Sequence, residues 1–395
     1  MSETPTHAEV IVVGGGINGV STAFHLAKEG VRVLLLEKDD IAAGPTGYSG
    51  AIVRQHYSHP VTARMALESL RFWENFAEHT FGGDAGFRQV GFVLAVRPED
   101  VPMLQQNIAM QQGVGIRTSF LTPEAIKEII PYIALQDLGG AAYEPESGYC
   151  SPVLAANSFA RAAQQMGATV LTGHRVTDFI KEGNRVKGVR TPKGDFYADK
   201  VVLATGPWSP GLMRLLGHEV PITPARGKVV LFQRPPHVPE HPVYGDFPYA
   251  FYMRPETGHQ TFMGDLGPEE AKDVVQDPDD FNRRVPLELI HDYGERLVRR
   301  FPVMEDVRVA SSYAALYDIT PDWHPIVDRV PNWDNVYLLA GGSGHCFKLS
   351  PALGRRMAHL VLHDRWIDDE PHLFRFHRFQ EGDLVRGQYH YSILG

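Results

Sequence analysis

Cysteine is scarce in this chain: Cys150 and Cys346 are the only two among 395 residues. That excludes a disulfide framework and points to reduced thiols in a reducing compartment. Long apolar runs are missing as well. No stretch approaches the ~18 consecutive apolar residues of a membrane span, and the N-terminal MSETPTHAE is polar, without the apolar centre of a secretory signal. The expected location is therefore cytoplasmic, with no membrane partner. There is no long basic run, and the net charge is −9, so nothing electrostatic favours nucleic acid or an anionic lipid surface. Repeats and low-complexity segments are absent, and no metal site is expected.

What is present is an ordinary globular composition, 43% hydrophobic and 22% charged, on a chain long enough for two domains with sizeable cores. The chain is organised around EVIVVGGGINGVSTAFHLAKEGVRVLLLEKD, residues 9 to 39. A β-branched run, Val10 to Val13, turns through glycines into a helix with Val20, Ala23, Phe24 and Ala27 at helical spacing. Gly30 ends that helix, and a second buried strand, Val31 to Leu36, runs into Glu37.

Gly14, Gly16 and Gly19 form G-x-G-x-x-G, which suits a tight turn, close approach of a pyrophosphate and close helix–strand packing. Glu37 would take a ribose hydroxyl and argues against a 2′-phosphate, hence against NADP. This fingerprint alone does not choose between FAD and NAD.

Farther along, the small-residue segment Ile41 to Gly50 leads into AIVRQHY, as suits backbone passing close to a ligand. A helix from Pro60 carries Val61, Met65, Leu70, Trp73 and Phe76 on its core face. Phe92 to Val96 reads as a strand, Glu99 to Gln112 as a helix, and Thr122, Pro123 and Pro131 bracket another helix. Pro152 to Met166 is an amphipathic helix and Thr169 to Leu171 a strand. Short strands then end in the buried run Val201 to Ala204, followed by Thr205 and Gly206. Strands are expected at Arg226 to Phe232, Tyr249 to Met253, Gln260 to Met263 and Ser311 to Tyr317, with a helix at Leu287 to Arg300. Finally come the strand Val336 to Ala340, a glycine-rich loop GGSGHCFKLSP and a helix from Ala352 to Leu362, beginning near Ser350.

In that order, the N-terminal fingerprint with Glu37, AIVRQHY, VVLATGPWS, PARGKVVLF and VYLLAGGSGHCFKLSPALG resemble the FAD-dependent amine oxidoreductases of the D-amino-acid-oxidase type. The nearest likeness is to sarcosine oxidases, pipecolate oxidase and the flavin region of dimethylglycine dehydrogenase. The resemblance covers nearly the whole chain and is most specific at the two ends. It implies an α/β fold: a Rossmann-type, glutathione-reductase-like FAD-binding domain (8–86, 150–222 and 323–395) with a mostly antiparallel substrate domain (87–149 and 223–322) inserted.

The resemblance also implies FAD contacts at Gly14, Gly16, Ile17, Asn18, Gly19, Glu37, Lys38, Thr46, Ser49, Gly50, Val176, Thr205, Gly206, Trp208, Arg226, Gly342, Gly344, His345 and Lys348. Hydride would leave the carbon beside the nitrogen of a small secondary or tertiary amino acid, giving an imine that hydrolyses. Electrons would pass to oxygen, with hydrogen peroxide formed, or to another acceptor. Arg54 and Lys348 match the family's two carboxylate cations, although an arginine also serves structural ion pairs. His345 either orients flavin or substrate or is satisfied locally. Tyr252 and Tyr317 are pocket walls or ordinary core, and His56 and His324 read as structural.

Reduced flavin is anionic, so N–H groups of the loop Gly341 to Gly344 and the helix after it are expected where that charge develops. Family members with covalent FAD use a cysteine where this chain has Ala315, so FAD is expected to be held non-covalently. Cys346 stands where glycine is common; attachment there is the alternative to a small buried thiol. The family's oxygen-using sarcosine oxidases carry a lysine on a strand that here reads HQTFMGD and has none, which leaves oxidase and dehydrogenase open. Two rivals remain at this stage: a nicotinamide dehydrogenase, and a flavin-bearing electron-transfer or non-catalytic subunit of a larger complex. Oligomeric state is not legible.

Overall fold

The apolar runs at 10–13, 33–36 and 201–203 have no polar face to give to water, so they pair in the interior as a parallel sheet. In the computed structural model, which describes residues 6–267, 272–367 and 370–387, the strand His7–Val13 lies between Val33–Leu36 and Gly194–Leu203, parallel to both. The first five residues of the polar N-terminal stretch lie outside the described residues. Thr169–Leu171 extends the parallel order beyond Val33–Leu36, and Val336–Ala340 pairs parallel with the end of Gly194–Leu203. Antiparallel strands Asp178–Glu182, Arg185–Thr191 and Ile326–Arg329 complete the sheet.

Alternation along the first strand gives it two cores. Val10 and Val12 point into one cluster with Phe24, Trp73, Phe159 and Leu353 from the helices Ile17–Lys28, Pro60–Glu74, Pro152–Gln165 and Cys346–His363. Ile11 and Val13 point into another, with Val176, Phe179, Val186 and Met213. Helices cover one face, and on the other the antiparallel strands Asp178–Glu182 and Arg185–Thr191 and the helix Ser209–Leu215 supply apolar partners, which is why this sheet tolerates near-continuous apolar strands.

The second sheet also has eight strands, in the order Arg308–Ile319, Thr223–Gln233, Gln260–Asp265, Phe251–Glu256, Val243–Asp246, Phe92–Val96, Gly140–Glu144 and Ser119–Leu121. It is antiparallel except where Val243–Asp246 meets Phe92–Val96. The helix Leu287–Arg300 sets Tyr293 and Leu297 against Val230 and Phe232 on one of its faces. A buried ion pair, Arg300 Nε to Asp246 at 2.6 Å, fixes the helix end, with Tyr244 donating to the same carboxylate. A small third sheet of Ile52–Val53, Gly148–Tyr149 and Arg88–Gln89 links these regions and leads directly into Arg54. Among the described residues no helix is long and apolar enough to cross a membrane.

The clearest departure from the sequence reading is at the last long helix. It starts at Cys346, not near Ser350, so Lys348 stands in its first turn and not in a loop. Pro351 looks like a helix start but lies in the second turn. Its missing N–H leaves the Phe347 carbonyl without its i+4 donor, while the backbone around it is held from other elements: Trp73 Nε1 donates to the Lys348 carbonyl at 3.0 Å and Ser21 Oγ to the Ser350 carbonyl at 2.7 Å. Two smaller differences are ordinary end effects. The helix from Pro60 stops at Glu74, leaving Phe76 in the separate turn Phe76–His79, and Pro98–Asp100 forms a 3-10 turn before the helix Val101–Gly113.

Candidate active site

One continuous cavity runs along the carboxyl ends of the first sheet's parallel strands and reaches the second sheet, with Glu37 and Val176 at one end and Arg54 and Lys348 among its other lining residues. That is the crevice where open α/β sheets take ligands. The turn at its centre is sterically fixed. Gly14 has φ +110°, and a Cβ on it would come within 2.4 Å of the Ala204 carbonyl; one on Gly19 would sit 1.9 Å from the Gly14 carbonyl. Gly16 differs: a Cβ there would meet only Thr46 Oγ1, at 3.2 Å, and otherwise project into open space. The second glycine thus leaves a cradle that any side chain would fill, as close approach of a pyrophosphate requires.

Glu37 Oε2 accepts from Gly15 N at 2.6 Å and Oε1 from Asp39 N at 2.8 Å, which fixes the carboxylate at the cavity wall with lone pairs remaining for a ribose hydroxyl. Ile17 N donates to Thr46 Oγ1 at 3.0 Å, tying the small-residue segment to the helix start. Beside this end, Lys38, Arg175 and Trp208 all donate to Asp279, whose carboxyl they hold far below the usual range, Arg175 contributing most.

At the cation end, Arg54 lies 4.6 Å over the Tyr57 ring, donates to the His56 carbonyl and reaches His345 Nδ1 at 3.5 Å. A guanidinium only donates, so His345 Nδ1 accepts, and the neutral ring carries its proton on Nε2. Burial, then Lys348 and Arg54, keep His345 well below the ordinary histidine range, so it is neutral at pH 7. Lys348 is buried and donates to the His345 carbonyl at 3.4 Å. Tyr317 packs beside Gly344, whose φ of +79° puts the chain in the left-handed region where glycine is favoured.

The glycine loop is organised by Asp318, a half-buried acid near the end of Arg308–Ile319 that the sequence reading passed over. Its Oδ2 accepts from Gly341 N at 2.8 Å and Gly342 N at 2.9 Å, and burial pushes its carboxyl up. Ser343 N donates to the Asp318 carbonyl at 3.2 Å, so three of the four loop N–H groups assigned to a developing anionic charge are already taken. The N–H groups left for that role are that of Gly344 and those of the first turn of Cys346–His363, whose positive dipole end borders the cavity.

Of the residues named from sequence, Gly14, Gly16, Ile17, Asn18, Glu37, Lys38, Thr46, Ser49, Gly50, Arg54, Val176, Thr205, Gly206, Trp208, Tyr252, Tyr317, Gly342, Gly344, His345 and Lys348 all line this cavity. Gly19 does not line it but packs beneath the turn. Arg226 is elsewhere: it grips Asp273 with two bonds, at 3.1 and 2.8 Å, because Asp273 offers a matching fork on the neighbouring segment. Ala315 lines the cavity, and so does Cys346, whose buried thiol is pushed up to about 12. Beneath Arg54, His56 Nδ1 faces Glu144 at 3.7 Å, both fully buried, and Glu144 also accepts from Gln55 N and Ser147 Oγ. Arg254 pins Gly50 by its carbonyl. Asp318 was legible as an acid in the otherwise apolar AALYDI; the partners of Glu144 and Arg254, 89 and 204 residues away, were not.

Comparison with known proteins follows this geometry. The family model for FAD dependent oxidoreductases (DAO) matches residues 9–360. Sarcosine oxidase subunit beta of Arthrobacter sp is 30% identical over 394 residues, covering 95% of this chain and 92% of that protein. The crystal structure of L-proline dehydrogenase from P. horikoshii superposes with a TM-score of 0.89 at 27% identity, over 97% of this chain and 100% of that one. Glycine oxidase from Geobacillus kaustophilus gives 0.81 at 25% identity, over 94% and 98%. The glycine cradle, the acid after the second strand and the long cavity fit FAD, and the chain belongs to the DAO family of FAD-dependent oxidoreductases.

Proposed function

We propose that this protein oxidises a small secondary or tertiary amino acid, N-methylated or cyclic, at the carbon beside its nitrogen. The observation that carries this reading is the pairing of Arg54 and Lys348, two buried basic side chains from distant segments lining the same cavity around His345. A substrate carboxylate between them would gain charge-assisted hydrogen bonds of roughly 1.5–3 kcal/mol each. The residues at 8–86, 150–222 and 323–395 act as the cofactor domain, and those at 87–149 and 223–322 as the substrate domain.

Bound FAD supplies the hydride acceptor. The turn at Gly14–Gly19 holds its pyrophosphate, Glu37 its ribose, and the first turn of Cys346–His363 offers N–H groups to developing negative charge. Attachment is non-covalent, with Ala315 where cysteine would be needed. Arg54 and Lys348 fix the carboxylate, and with it the position of the reacting C–H. Tyr252 and Tyr317 wall the pocket and limit the N-substituent. The imine released then hydrolyses to a carbonyl compound and a smaller amine, and electrons leave to oxygen or to another acceptor, in the cytoplasm.

A second reading is favoured by one observation: the relative at 30% identity, matched over 92% of its length, is named as the beta subunit of its enzyme. In that reading the chain works beside other subunits. One experiment addresses both. FAD-loaded protein is mixed anaerobically with a panel of N-methylated and cyclic amino acids while flavin absorbance is followed. Bleaching by at least one of them supports the reading, and no bleaching by any, with FAD bound, favours the subunit that needs its partners.

A further inference from the structure

Lys348 lies in the first turn of Cys346–His363, buried, with its Nζ donating to the His345 carbonyl at 3.4 Å. Among the described residues no carboxylate lies within ion-pair reach of it. The ionisable groups placed against it are Arg54 from the segment after Ile52–Val53, Cys346 from its own helix and His345 at that helix's start; behind these, Tyr57 stacks on Arg54, Asp318 faces Cys346 and Tyr317 packs beside Gly344. Asp318 is engaged with Gly341 and Gly342. Two neighbouring cations, both buried and both in contact with His345, need an anion between them, or one must give up its proton. Arginine stays charged, so lysine is the one that yields. Burial and the Arg54 charge accordingly push Lys348 well below the usual lysine range.

An amino acid arrives as a zwitterion, with an ammonium that cannot lose hydride from the adjacent carbon, because the nitrogen lone pair must become available to form the C=N bond. Building on the carboxylate grip proposed above, we propose that Lys348 enters the cycle as a neutral amine and takes the proton of the bound substrate's ammonium. One N–H bond of the substrate breaks and one N–H bond on Nζ forms; nothing is oxidised. A neutral substrate amine and a lysine ammonium result, the first ready for oxidation and the second paired with the carboxylate. A single relocated proton thus prepares both ends of the substrate.

The test uses a carboxylate without an amine. FAD-loaded protein in weak buffer with a pH indicator, near pH 7.5, is titrated with acetate while binding is followed by the flavin spectrum. Wild type should take up about one proton per acetate bound, and Lys348→Arg, charged from the start, should bind acetate with none. Acetate binding without proton uptake in wild type overturns this inference and leaves the carboxylate grip standing. Uptake that persists in Lys348→Arg assigns the proton to another group, His345 first, and also overturns it. Failure of acetate to bind overturns the carboxylate grip itself. In a second measurement, the anaerobic reduction of Lys348→Arg by substrate should rise about tenfold per pH unit below the amine's own pKa, following the free-amine fraction. A Lys348→Arg profile matching wild type would mean that the lysine serves only as a charge.

Discussion

The cavity is bordered by two glycine turns, each leading into a long helix, and they are built on different principles. The turn at Gly14–Gly19 is held by steric necessity: side chains on Gly14 or Gly19 would collide with backbone carbonyls at 2.4 and 1.9 Å. The turn at Gly341–Gly344 also needs glycine, since a Cβ on Gly341 would come within 2.4 Å of the Thr320 side chain, but it adds charge: Asp318 gathers two of its N–H groups onto one oxygen, and the helix after it carries Lys348 beside Arg54. The first presents a rigid cradle for a phosphate bridge. The second presents an electrostatic balance that a bound carboxylate completes, so one turn recognises shape and the other responds to charge.

Substitutions that separate these principles should differ in kind. Gly19→Val sets atoms against the Gly14 carbonyl and should cost more than ~4 kcal/mol, leaving little soluble folded protein in expression trials. Gly16→Val should have the smaller effect of a folded but colourless protein, since its added atoms project mainly into the cradle. Circular dichroism together with flavin absorbance of the purified variant checks this, and a yellow Gly16→Val protein would break the assignment of the turn.

The charged turn should fail more gently. Asp318→Ala leaves two buried N–H groups without their acceptor, at roughly 1–3 kcal/mol each, and should lower Tm by several degrees. Asp318→Asn keeps one acceptor oxygen and should lie between the alanine variant and wild type. Equal melting temperatures for all three would show that the loop does not depend on Asp318.

The smallest effect concerns Cys346. With its thiol pushed up to about 12 by burial and the Asp318 charge, its thiolate fraction at pH 8 should be about a thousandfold below that of an ordinary cysteine. Native protein should resist alkylation there, and acid precipitation should leave FAD in the supernatant. Flavin retained in a washed pellet would show covalent attachment, with Cys346 the first position to examine.

The same contrast explains what could be read in the sequence. The steric turn announces itself, because glycine spacing, a β-branched strand before it and Glu37 after the next strand are local patterns with one geometric solution. Hence the α/β class and the cofactor turn were legible in local pattern, while the other site residues were named through the family resemblance, and lining residues such as Phe92, Gly211 and Gly245 were not assigned to the site at all. The charged turn depends on partners brought together only by folding: Asp318 to Gly341, Trp73 to the Lys348 carbonyl, Glu144 to Gln55. Pro351 misled because proline usually marks a helix start, whereas here contacts from Trp73 and Ser21 support a helix that began at Cys346. Arg226 misled for the reverse reason, since its fork is matched by Asp273, whose position no local pattern reveals.

The central claim, that a carboxylate grip makes this an amino-acid enzyme, is tested most directly by stopped-flow reduction of the FAD-loaded protein with matched substrate pairs. Each amino acid that bleaches the flavin is compared with its decarboxylated amine. Loss of the carboxylate contacts is worth about a tenfold to hundredfold change per charged hydrogen bond, so the amino acid should reduce the flavin at least ~100-fold more efficiently. Equal efficiency for acid and amine, or preference for the amine, would contradict the roles given to Arg54 and Lys348.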